Sequence, residues 1–327
     1  MSAEKQKFIL GIGGAHIDRR GQLSVDFVPG ASNPGTMRED VGGGTFNALR
    51  NAVQRGVGGS LLSVRGGDAS GVTVASAIAA AGIRDLSVTF LDRRTPSYTA
   101  LLDRHGDVVA ALADMGLYDL VFAKQLRRAS VRAAIAQADA IFTDANLSGD
   151  ALARLPKLVE GKPIFAIAIS PAKVLRLKEI LPALSCLFLN TREAAALTGL
   201  SPDAHAPAML DRLRTLGLRR AVLSKGPNPV HVLDGDRTFS ITPPAPRSIA
   251  DVTGAGDALA GATSAAMLRG LPFADAVREG MAAALLALES ADAAPVLSSA
   301  TFKAALALVP TAETLHGAPS RGEAHVA

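Results

Sequence analysis

Hydrophobic residues are arranged along this chain in two alternating patterns. Short runs that are apolar throughout are separated by longer segments with helical character. Strands without polar alternation are typical of a parallel sheet that helices cover on both faces. The pattern therefore predicts an α/β fold, with strands at residues 8–13, 61–64, 86–91, 140–143, 164–169, 187–189 and 221–224 and helices at 46–55, 72–81, 130–136, 152–159 and 206–216.

Two segments, 18–40 and 97–111, break this alternation with short polar–apolar stretches and turn residues. The second is predicted to form a hairpin around an Arg-His-Gly-Asp turn. We interpret both as antiparallel pieces that form one small sheet, a lid over the strand ends, with lid segments at about 16–40 and 95–112. The chain from 1 to 315 is predicted to be a single domain, followed by a flexible tail at 316–327.

Composition and charge narrow the range of partners. The 327 residues include 34 Lys and Arg against 30 Asp and Glu, and the basic residues are scattered, so no nucleic-acid partner is expected. No membrane is expected as a partner either, because every apolar stretch near the length of a span has polar breaks. The single cysteine, Cys186, and a start without a signal peptide predict a reducing compartment, the cytoplasm.

The strongest local motif is Asp251-Val-Thr-Gly-Ala-Gly-Asp257, which precedes a helical pattern. Gly254, Ala255 and Gly256 would leave bare backbone N–H groups at the N-terminus of that helix, where the helix dipole adds positive potential. Such a turn suits a transferring phosphoryl group, and Asp257 would take the proton of an attacking hydroxyl. The structural alternative is an aspartate that only stabilises the first helical turn.

A second group of polar residues follows the first predicted strand. Asp18 ends the sequence Gly-Gly-Ala-His-Ile-Asp, and Gly43 and Asn47 belong to Gly-Gly-Gly-Thr-Phe-Asn at the start of a helix. Ligands of open α/β sheets bind at such strand and helix ends, where a carboxylate and an amide can share the vicinal hydroxyls of a sugar. The alternative is a turn aspartate and an asparagine in the first turn of a helix.

A third motif, Asn190-Thr-Arg-Glu193, follows the predicted strand 187–189. Both polar side chains can orient hydrated Mg²⁺ beside phosphates, because Mg²⁺ usually keeps several of its waters. The same residue types at this spacing also form a capping box, in which an Asn N-cap and a Glu satisfy each other's backbone N–H groups. The sequence leaves both interpretations open.

Several familiar motifs are absent from the sequence. It contains no Gly-x-x-x-x-Gly-Lys-Ser/Thr P-loop and no protein-kinase catalytic set. A Gly-Ile-Gly-Gly-Ala sequence near the N-terminus lacks the third glycine and the acidic partner of a dinucleotide-binding fingerprint, which disfavours a dehydrogenase. The histidines and the cysteine show no metal-ligand spacing.

Together these motifs resemble the ribokinase-like (PfkB) carbohydrate kinase family, from about residue 8 to about residue 309. The resemblance implies a ribokinase-like, doubly wound and mostly parallel sheet with helices on both faces and a small β-sheet lid. It implies transfer of the γ-phosphoryl group of ATP, with Mg²⁺, to a hydroxyl of a small sugar or nucleoside. Members of this family often form homodimers through the lid, and we expect one here.

The resemblance also assigns site residues at matching positions. Four groups follow from it: the catalytic base Asp257 with the anion-hole residues Gly254, Ala255 and Gly256; the acceptor-binding residues Asp18, Gly43 and Asn47; the nucleotide-binding residues Asn190, Glu193, Ser224 and Gly226, with Glu193 holding Mg²⁺ through water; and Asp251 with the Thr253 carbonyl at a monovalent cation (K⁺) site.

Within the family, the lid sequence at 96–115 is similar to that of the pseudouridine kinases. This similarity implies the 5′-hydroxyl of pseudouridine as the acceptor and places Asn33, Thr99, Asp114 and Lys173 near the nucleoside. The alternative for Thr99 and Asp114 is that they are plain hairpin residues.

One departure from the pseudouridine kinases concerns the acceptor. Where they have an acidic residue before a Ser and a Lys, this chain has Ile167-Ala-Ile-Ser-Pro-Ala-Lys173. Ribose or a purine nucleoside therefore remains an alternative acceptor. A protein that only senses a sugar or nucleotide is an alternative of a different class, which the intact Asp257 disfavours because a pure binder needs no base.

Overall fold

Strands and helices alternate in the computed structural model, which describes residues 6–292, 294–296 and 298–316. The strands in these ranges are β1 (Phe8–Ile12), β2 (His16–Leu23), β3 (Gly35–Gly42), β4 (Gly58–Leu62), β5 (Val64–Gly66), β6 (Arg84–Asp85), β7 (Val88–Phe90), β8 (Ser97–Leu102), β9 (Val108–Asp114), β10 (Ala140–Asp144), β11 (Ile164–Ile167), β12 (Cys186–Asn190), β13 (Arg220–Lys225), β14 (Asn228–Asp234), β15 (Arg237–Ile241) and β16 (Glu313–His316). The helices are α1 (Gly44–Val53), α2 (Ala69–Ala80), α3 (Gly116–Gln125), α4 (Ala129–Gln137), α5 (Gly149–Leu158), α6 (Pro171–Val174), a 3-10 helix (Leu175–Ala183), α7 (Thr191–Thr198), α8 (Ala206–Thr215), α9 (Ala255–Leu268), α10 (Phe273–Leu288) and α11 (Ser299–Leu308).

The large sheet has ten strands in the order β16-β15-β14-β13-β12-β11-β10-β1-β4-β6. From β13 to β6 all neighbours are parallel, whereas β14, β15 and β16 are added antiparallel at one edge. Strands β10 and β11 are buried at every position, which explains why they lack polar alternation. The predicted, mostly parallel sheet is confirmed, and the antiparallel edge is an addition.

Helices cover both faces of this sheet, as the sequence predicts. Neighbouring residues of a strand point to opposite faces, and two separate apolar layers result. Ile9 and Phe142 pack against the layer that contains α1, α2, α9, α10 and α11. Leu10 and Ile141 pack against the layer that contains α3 to α8. The doubly wound α/β architecture is therefore confirmed.

Helices α1 and α9 pack together especially closely. A Cβ atom at Gly261 of α9 would lie only 2.0 Å from the carbonyl oxygen of Ala48 on α1. A larger residue at this position would push the two helices apart. The close approach matters for the site because α1 carries Asn47 and α9 carries Asp257.

The two segments that break the alternation form a separate four-stranded sheet in the order β3-β2-β8-β9, as predicted. Strands β2 and β8 are parallel, and each continues into an antiparallel hairpin with β3 or β9. Asp103 holds the β8–β9 turn, because its Oδ1 accepts hydrogen bonds from the N–H groups of His105 and Asp107. We call this sheet the lid sheet.

Several elements differ from the sequence pattern. The predicted strand 61–64 is interrupted at Ser63, whose side chain and N–H bond to Ala15 and Ser87 rather than continuing the ladder. Helices α3, α10 and α11 are not indicated by the pattern. Helix α10 lies between α9 and α11 and is buried over most of its surface, so it lacks the polar stripe by which periodicity reveals a helix.

The C-terminal end of the described chain is the edge strand β16, which ends at His316. The rest of the predicted tail, 317–327, lies outside the described residues. Within the ranges that the structure describes, none of the helices is long and apolar enough to cross a membrane.

Candidate active site

The glycine-rich turn before α9 leaves the N-terminus of that helix open. Gly254 is the N-cap and has a φ of +83°, a left-handed conformation that glycine adopts readily. The N–H groups of Ala255, Gly256 and Asp257 lie in the first turn, where an α-helix offers no internal partner. These donors and the helix dipole can bind an anion such as a phosphoryl group.

The carboxylate of Asp257 faces the cavity from this first turn. Its Oδ2 accepts a hydrogen bond from Nδ2 of Asn47 over 2.9 Å. Burial raises the pKa of Asp257 to about 7; the hydrogen bond from Asn47 opposes this rise, and the carboxylates of Asp144 and Asp18 add to it. A group that titrates near neutrality is suited to accept a proton during turnover.

Glycines bring Asp18 and Asn47 to the same end of the cavity. Gly43 precedes α1 with a φ of +115°, and a Cβ atom there would lie 2.3 Å from the carbonyl oxygen of Gly14. A Cβ atom at Gly42 would lie 2.0 Å from Oδ2 of Asp18. Any larger residue would separate β2 from the start of α1, which explains why the motif is a run of glycines.

A histidine orients Asp18. Nε2 of His16 lies 3.1 Å from Oδ1 of Asp18, and Nδ1 of the same ring lies 3.2 Å from the hydroxyl of Tyr118. Tyr118 is completely buried, and its hydroxyl also bonds to the backbone of Ala15. Sequence analysis assigns no role to His16 or Tyr118.

Asn190 and Glu193 form a capping box, one of the two interpretations that the sequence allows. Oδ1 of Asn190 accepts from the N–H of Glu193 over 3.0 Å, and Oε2 of Glu193 accepts from the N–H of Asn190 over 2.8 Å. Burial raises the pKa of Glu193, and the hydrogen bonds from Asn190 oppose this. Both residues also line the cavity, so the cap does not remove them from the site.

The donor set suits Mg²⁺ bound mainly by water and phosphate. In the described part of the chain no three His, Cys, Asp or Glu side chains cluster as a metal site. The carboxylate of Glu193 lines the cavity, so it can accept a hydrogen bond from a metal-bound water. A single carboxylate of this kind fits an ion that retains several waters and binds substrate phosphates.

Lys173 reaches the cavity beside an asparagine that sequence analysis misses. Its Nζ lies 2.5 Å from Oδ1 of Asn146. Burial lowers the pKa of Lys173, and the nearby Asp144 opposes this. Asp144 is completely buried and accepts hydrogen bonds from the N–H groups of Gly14, Thr45 and Asn146. The available signal is that Asp144 ends a buried strand and Asn146 follows it, at the edge where ligands of parallel sheets bind.

The cavity wall near Lys173 contains an unusual backbone conformation. Ile169 has a φ of +70°, which is a genuine outlier for a β-branched residue. The N–H of Ser170 donates to the carbonyl of Ala168 over 2.9 Å, which closes a three-residue turn around Ile169. Ile167 and Ile169 both line the cavity in the stretch where the acidic residue is missing, so this wall is apolar.

Asp251 is paired with an arginine of the lid sheet. The guanidinium of Arg20 on β2 donates to its Oδ2, and Oδ1 accepts from the N–H of Thr253 over 2.8 Å. Burial acts to raise the pKa of Asp251, but these partners outweigh it and lower the pKa. Arg20 compensates the charge of this carboxylate, and each of its oxygens already accepts a hydrogen bond within the chain, so in this conformation the residues do not fit a monovalent cation.

The lid sheet and the ends of the large sheet together line a half-open cavity of about 540 Å³, within the size range of small-molecule sites. Lid residues form one wall, and strand and helix ends form the other. The predicted site residues that line it are Asp18, Gly43, Asn47, Lys173, Asn190, Glu193, Ser224, Thr253, Gly254, Gly256 and Asp257.

Two predicted residues of the lid sheet lie on its other face. Tyr98 is in register with Asp18 and Ala113, and all three line the cavity. Because side chains alternate along a strand, Thr99 and Asp114 point to the opposite face. This placement fits the alternative that they are hairpin residues, and the proximity of either to a nucleoside stays a prediction.

Asp251 and three further predicted residues lie outside the cavity lining. Asn33 holds the β2–β3 turn, where its Oδ1 accepts from the N–H of Val28 and its Nδ2 donates to the Val28 carbonyl. Gly226 has a φ of +55° in the β13–β14 turn. Ala255 begins α9 and contributes its backbone N–H rather than a side chain. A functional role for each stays a prediction.

Comparison with known proteins agrees with this architecture. The model of the pfkB family carbohydrate kinases matches residues 8–300. Pseudouridine kinase from Escherichia coli is 29% identical over 287 residues, which cover 87% of this chain and 91% of that protein. A carbohydrate kinase structure from Agrobacterium tumefaciens is 45% identical with a TM-score of 0.83, and the match covers 95% of this chain and 100% of that one.

A more distant structure shows the same fold. Ribokinase from Arabidopsis thaliana, solved with ribose and ATP, is 18% identical with a TM-score of 0.81, over 92% of this chain and 99% of that one. The match to the family model over residues 8–300 makes the chain a phosphotransferase that acts on an alcohol group. The chain belongs to the pfkB family of carbohydrate kinases.

Proposed function

We propose that this kinase transfers the γ-phosphoryl group of ATP to the 5′-hydroxyl of pseudouridine. The observation that carries the chemistry is the carboxylate of Asp257, held by Asn47 beside the bare N–H groups at the start of α9. The similarity to E. coli pseudouridine kinase over most of both chains supports the choice of acceptor.

In the proposed reaction Asp257 accepts the proton of the acceptor hydroxyl. The hydroxyl oxygen forms a bond to the γ-phosphorus while the bond from that phosphorus to the β,γ-bridging oxygen breaks, and ADP leaves with the electron pair. The N–H groups of Gly254, Ala255 and Gly256 stabilise the charge on the transferring group, where each donor contributes about 2.7–4 kcal/mol in comparable sites. Positioning supplies most of the remaining acceleration.

The acceptor is proposed to lie between the lid sheet and the ends of β1, β10 and β11. Asp18, Gly43 and Asn47 would bind the ribose hydroxyls from one side. Lys173, with Asn146, would bind a carbonyl or another polar group of the base, because together they present an ammonium and amide N–H donors. The apolar wall near Ile169 would contact the flat part of the base.

ATP is proposed to occupy the other end of the same cavity. Asn190, Glu193, Ser224 and Gly226 would border its phosphates and base. Mg²⁺, when bound, would neutralise charge on the phosphates, and Glu193 would contact it through water. Closure of the lid sheet would exclude water, which otherwise competes with the hydroxyl as acceptor.

The test is ADP release from ATP and Mg²⁺ with pseudouridine, uridine, inosine, adenosine and ribose offered separately. Asp257→Asn should bind ATP and fold normally but lose about 10²–10⁴-fold in turnover. Asp275→Asn is a matched control, because Asp275 also lies in the first turn of a helix but is remote from the cavity. Equal small effects of both changes would contradict the role of Asp257 as base.

The acceptor panel separates the remaining possibilities. Selective turnover of pseudouridine that is lost in Asp257→Asn supports the whole proposal. Selective turnover of ribose or a purine nucleoside would agree with Asp257 as the base but contradict pseudouridine as the acceptor. The apolar stretch at Ile167 would then be the first candidate for the cause of the different specificity. ATP binding without turnover of any acceptor would favour a protein that only senses a sugar or nucleotide.

A further inference from the structure

Asn47 contacts a second charged side chain besides Asp257. Arg50 lies one turn further along α1, and its Nη2 donates to Oδ1 of Asn47 over 2.8 Å. Its Nη1 lies 3.2 Å from Oδ1 of Asp292, and its guanidinium carbon lies 4.8 Å from the centre of the Phe46 ring. With 17% of its side chain exposed, Arg50 is held on three sides in one position.

The chemistry of arginine removes an ambiguity from the Asn47 amide. A guanidinium can only donate hydrogen bonds, so the atom of Asn47 that contacts Arg50 must be the carbonyl oxygen. The amide nitrogen is then forced to face Asp257, where it donates over 2.9 Å. With the amide reversed, its oxygen would lie against a carboxylate and repel it. The second N–H of the nitrogen remains available for an acceptor hydroxyl.

We propose that Arg50 is a positioning residue that locks the amide of Asn47 so that its nitrogen holds the carboxylate of Asp257. The inference rests on the proposed role of Asp257 as base. No motif of the sequence indicated Arg50, which lies three positions after the Gly-Gly-x-x-x-Asn element.

The charges around Asp257 give this lock a second effect. Asp144 at the end of β10 and Asp18 on β2, the latter in contact with His16, face it and disfavour its ionised form. Arg50 on α1 is the cation that opposes them. Arg50 therefore acts on Asp257 in two ways, through the orientation of Asn47 and through its own positive charge.

The experiment is the pH dependence of kcat/KM for whichever hydroxyl acceptor the enzyme turns over, in the full-length protein. The acid limb is the rise of kcat/KM with pH as Asp257 ionises. In Arg50→Met its midpoint should move to a pH about one unit higher. Activity would fall about tenfold below the midpoint and recover toward the wild-type value at alkaline pH. Arg50→Lys keeps the positive charge and an N–H donor group, so its acid limb should move by less than that of Arg50→Met.

Two controls separate positioning from a structural effect. Arg65→Met removes another ion-paired arginine of similar exposure, 14% of its side chain, that is remote from the cavity; it should leave the midpoint unchanged. Asp292→Ala releases the other partner of Arg50 but keeps its contact with Asn47. A shift in Asp292→Ala as large as that in Arg50→Met would overturn the inference, because loop anchoring would then explain both.

The outcomes also distinguish this inference from the proposed function. The wild type can show an acid limb that stays at the same pH in Arg50→Met, while melting temperature and ATP binding are normal. This result contradicts the role of Arg50 but leaves the proposed function intact. A wild-type profile without an acid limb, together with full turnover in Asp257→Asn, contradicts Asp257 as the base and removes the basis of both.

Discussion

Nζ of Lys173 lies 2.5 Å from Oδ1 of Asn146. The two residues come from different strand ends, since Asn146 follows β10 and Lys173 lies in α6 after β11. The contact fixes the amide of Asn146 with its nitrogen turned away from the ammonium. That nitrogen is buried and has no hydrogen-bond partner among the residues described, so a ligand in the cavity can supply one.

The first prediction concerns this unsatisfied amide. Asn146→Ala should raise the KM of the acceptor about tenfold and leave the KM of ATP within about twofold, because one hydrogen bond to the acceptor is lost. Initial-rate kinetics with each substrate varied in turn measure both values. Gln137→Ala, which removes an exposed side-chain amide at the end of α4, away from the cavity, is the control and should change neither. Equal increases in both KM values would place Asn146 outside the acceptor site.

The second prediction follows from the pKa of Asp257. Burial raises this pKa to about 7, and only the ionised carboxylate accepts a proton. The kcat/KM for the acceptor should therefore be low at pH 5.5, rise through about 7 and level off above it. A stopped or coupled ADP assay over this range measures the profile. A rate that is flat between about pH 5.5 and 8 would contradict a base with a raised pKa.

The third prediction concerns the cation requirement. Because Arg20 already neutralises Asp251, replacing K⁺ by a bulky organic cation at constant ionic strength should leave kcat within about twofold. Arg20→Gln frees the carboxylate and should make the enzyme dependent on K⁺. A wild type that needs K⁺ would show instead that Arg20 leaves Asp251 during turnover, as the cation site inferred from the family resemblance requires.

A fourth prediction concerns a residue that should affect the stability of the fold but not catalysis. Nζ of Lys162 donates to the carbonyl oxygens of Ile135, Ala136 and Ala138 at the C-terminal end of α4, at 2.6 to 2.8 Å. Lys162→Met should lower the free energy of unfolding by about 1–2 kcal/mol, since three charge-assisted hydrogen bonds to the helix end are lost. Chemical denaturation measures the change. Kinetic constants should stay at wild-type values, because none of these residues lines the cavity.

The fifth prediction concerns assembly. The lid-sheet face opposite the cavity exposes Leu112 and Met37, at 69% and 58%, and a second copy of the chain is the expected occupant. Light scattering after size exclusion should show a dimer for the wild type and a monomer for Leu112→Asp. Leu308→Asp changes a residue of similar exposure, 61%, on α11, which packs against α10, and should stay dimeric. A monomeric wild type would contradict the expected homodimer.

Local patterns explain what the sequence predicts well. The buried strands stand out as apolar runs. The turns before α1 and α9 stand out as clusters of glycine, the residue that their backbone geometry requires. Asn47 and Asp257 lie in the first turns of the helices that follow these glycines, so the sequence pattern alone identifies both as site candidates. The lid hairpins also follow from turn residues close together in the chain.

The contacts that sequence analysis misses join distant parts of the chain. Arg20 and Asp251 are 231 residues apart, and His16 and Tyr118 are 102 apart. Neither periodicity nor turn chemistry carries information about such pairs. Asn146 was missed for a related reason, since an asparagine after a strand is common and only its neighbours in space distinguish it.

The lid sheet is assembled from two separate insertions, β2–β3 between β1 and α1, and β8–β9 between β7 and α3. Its central contact, β2 beside β8, joins one insertion to the other. An engineer who wishes to exchange acceptor preference between relatives therefore cannot transplant the lid as one cassette. Both insertions must be moved together, and the recipient must carry an acidic residue at the position of Asp251 to pair with Arg20.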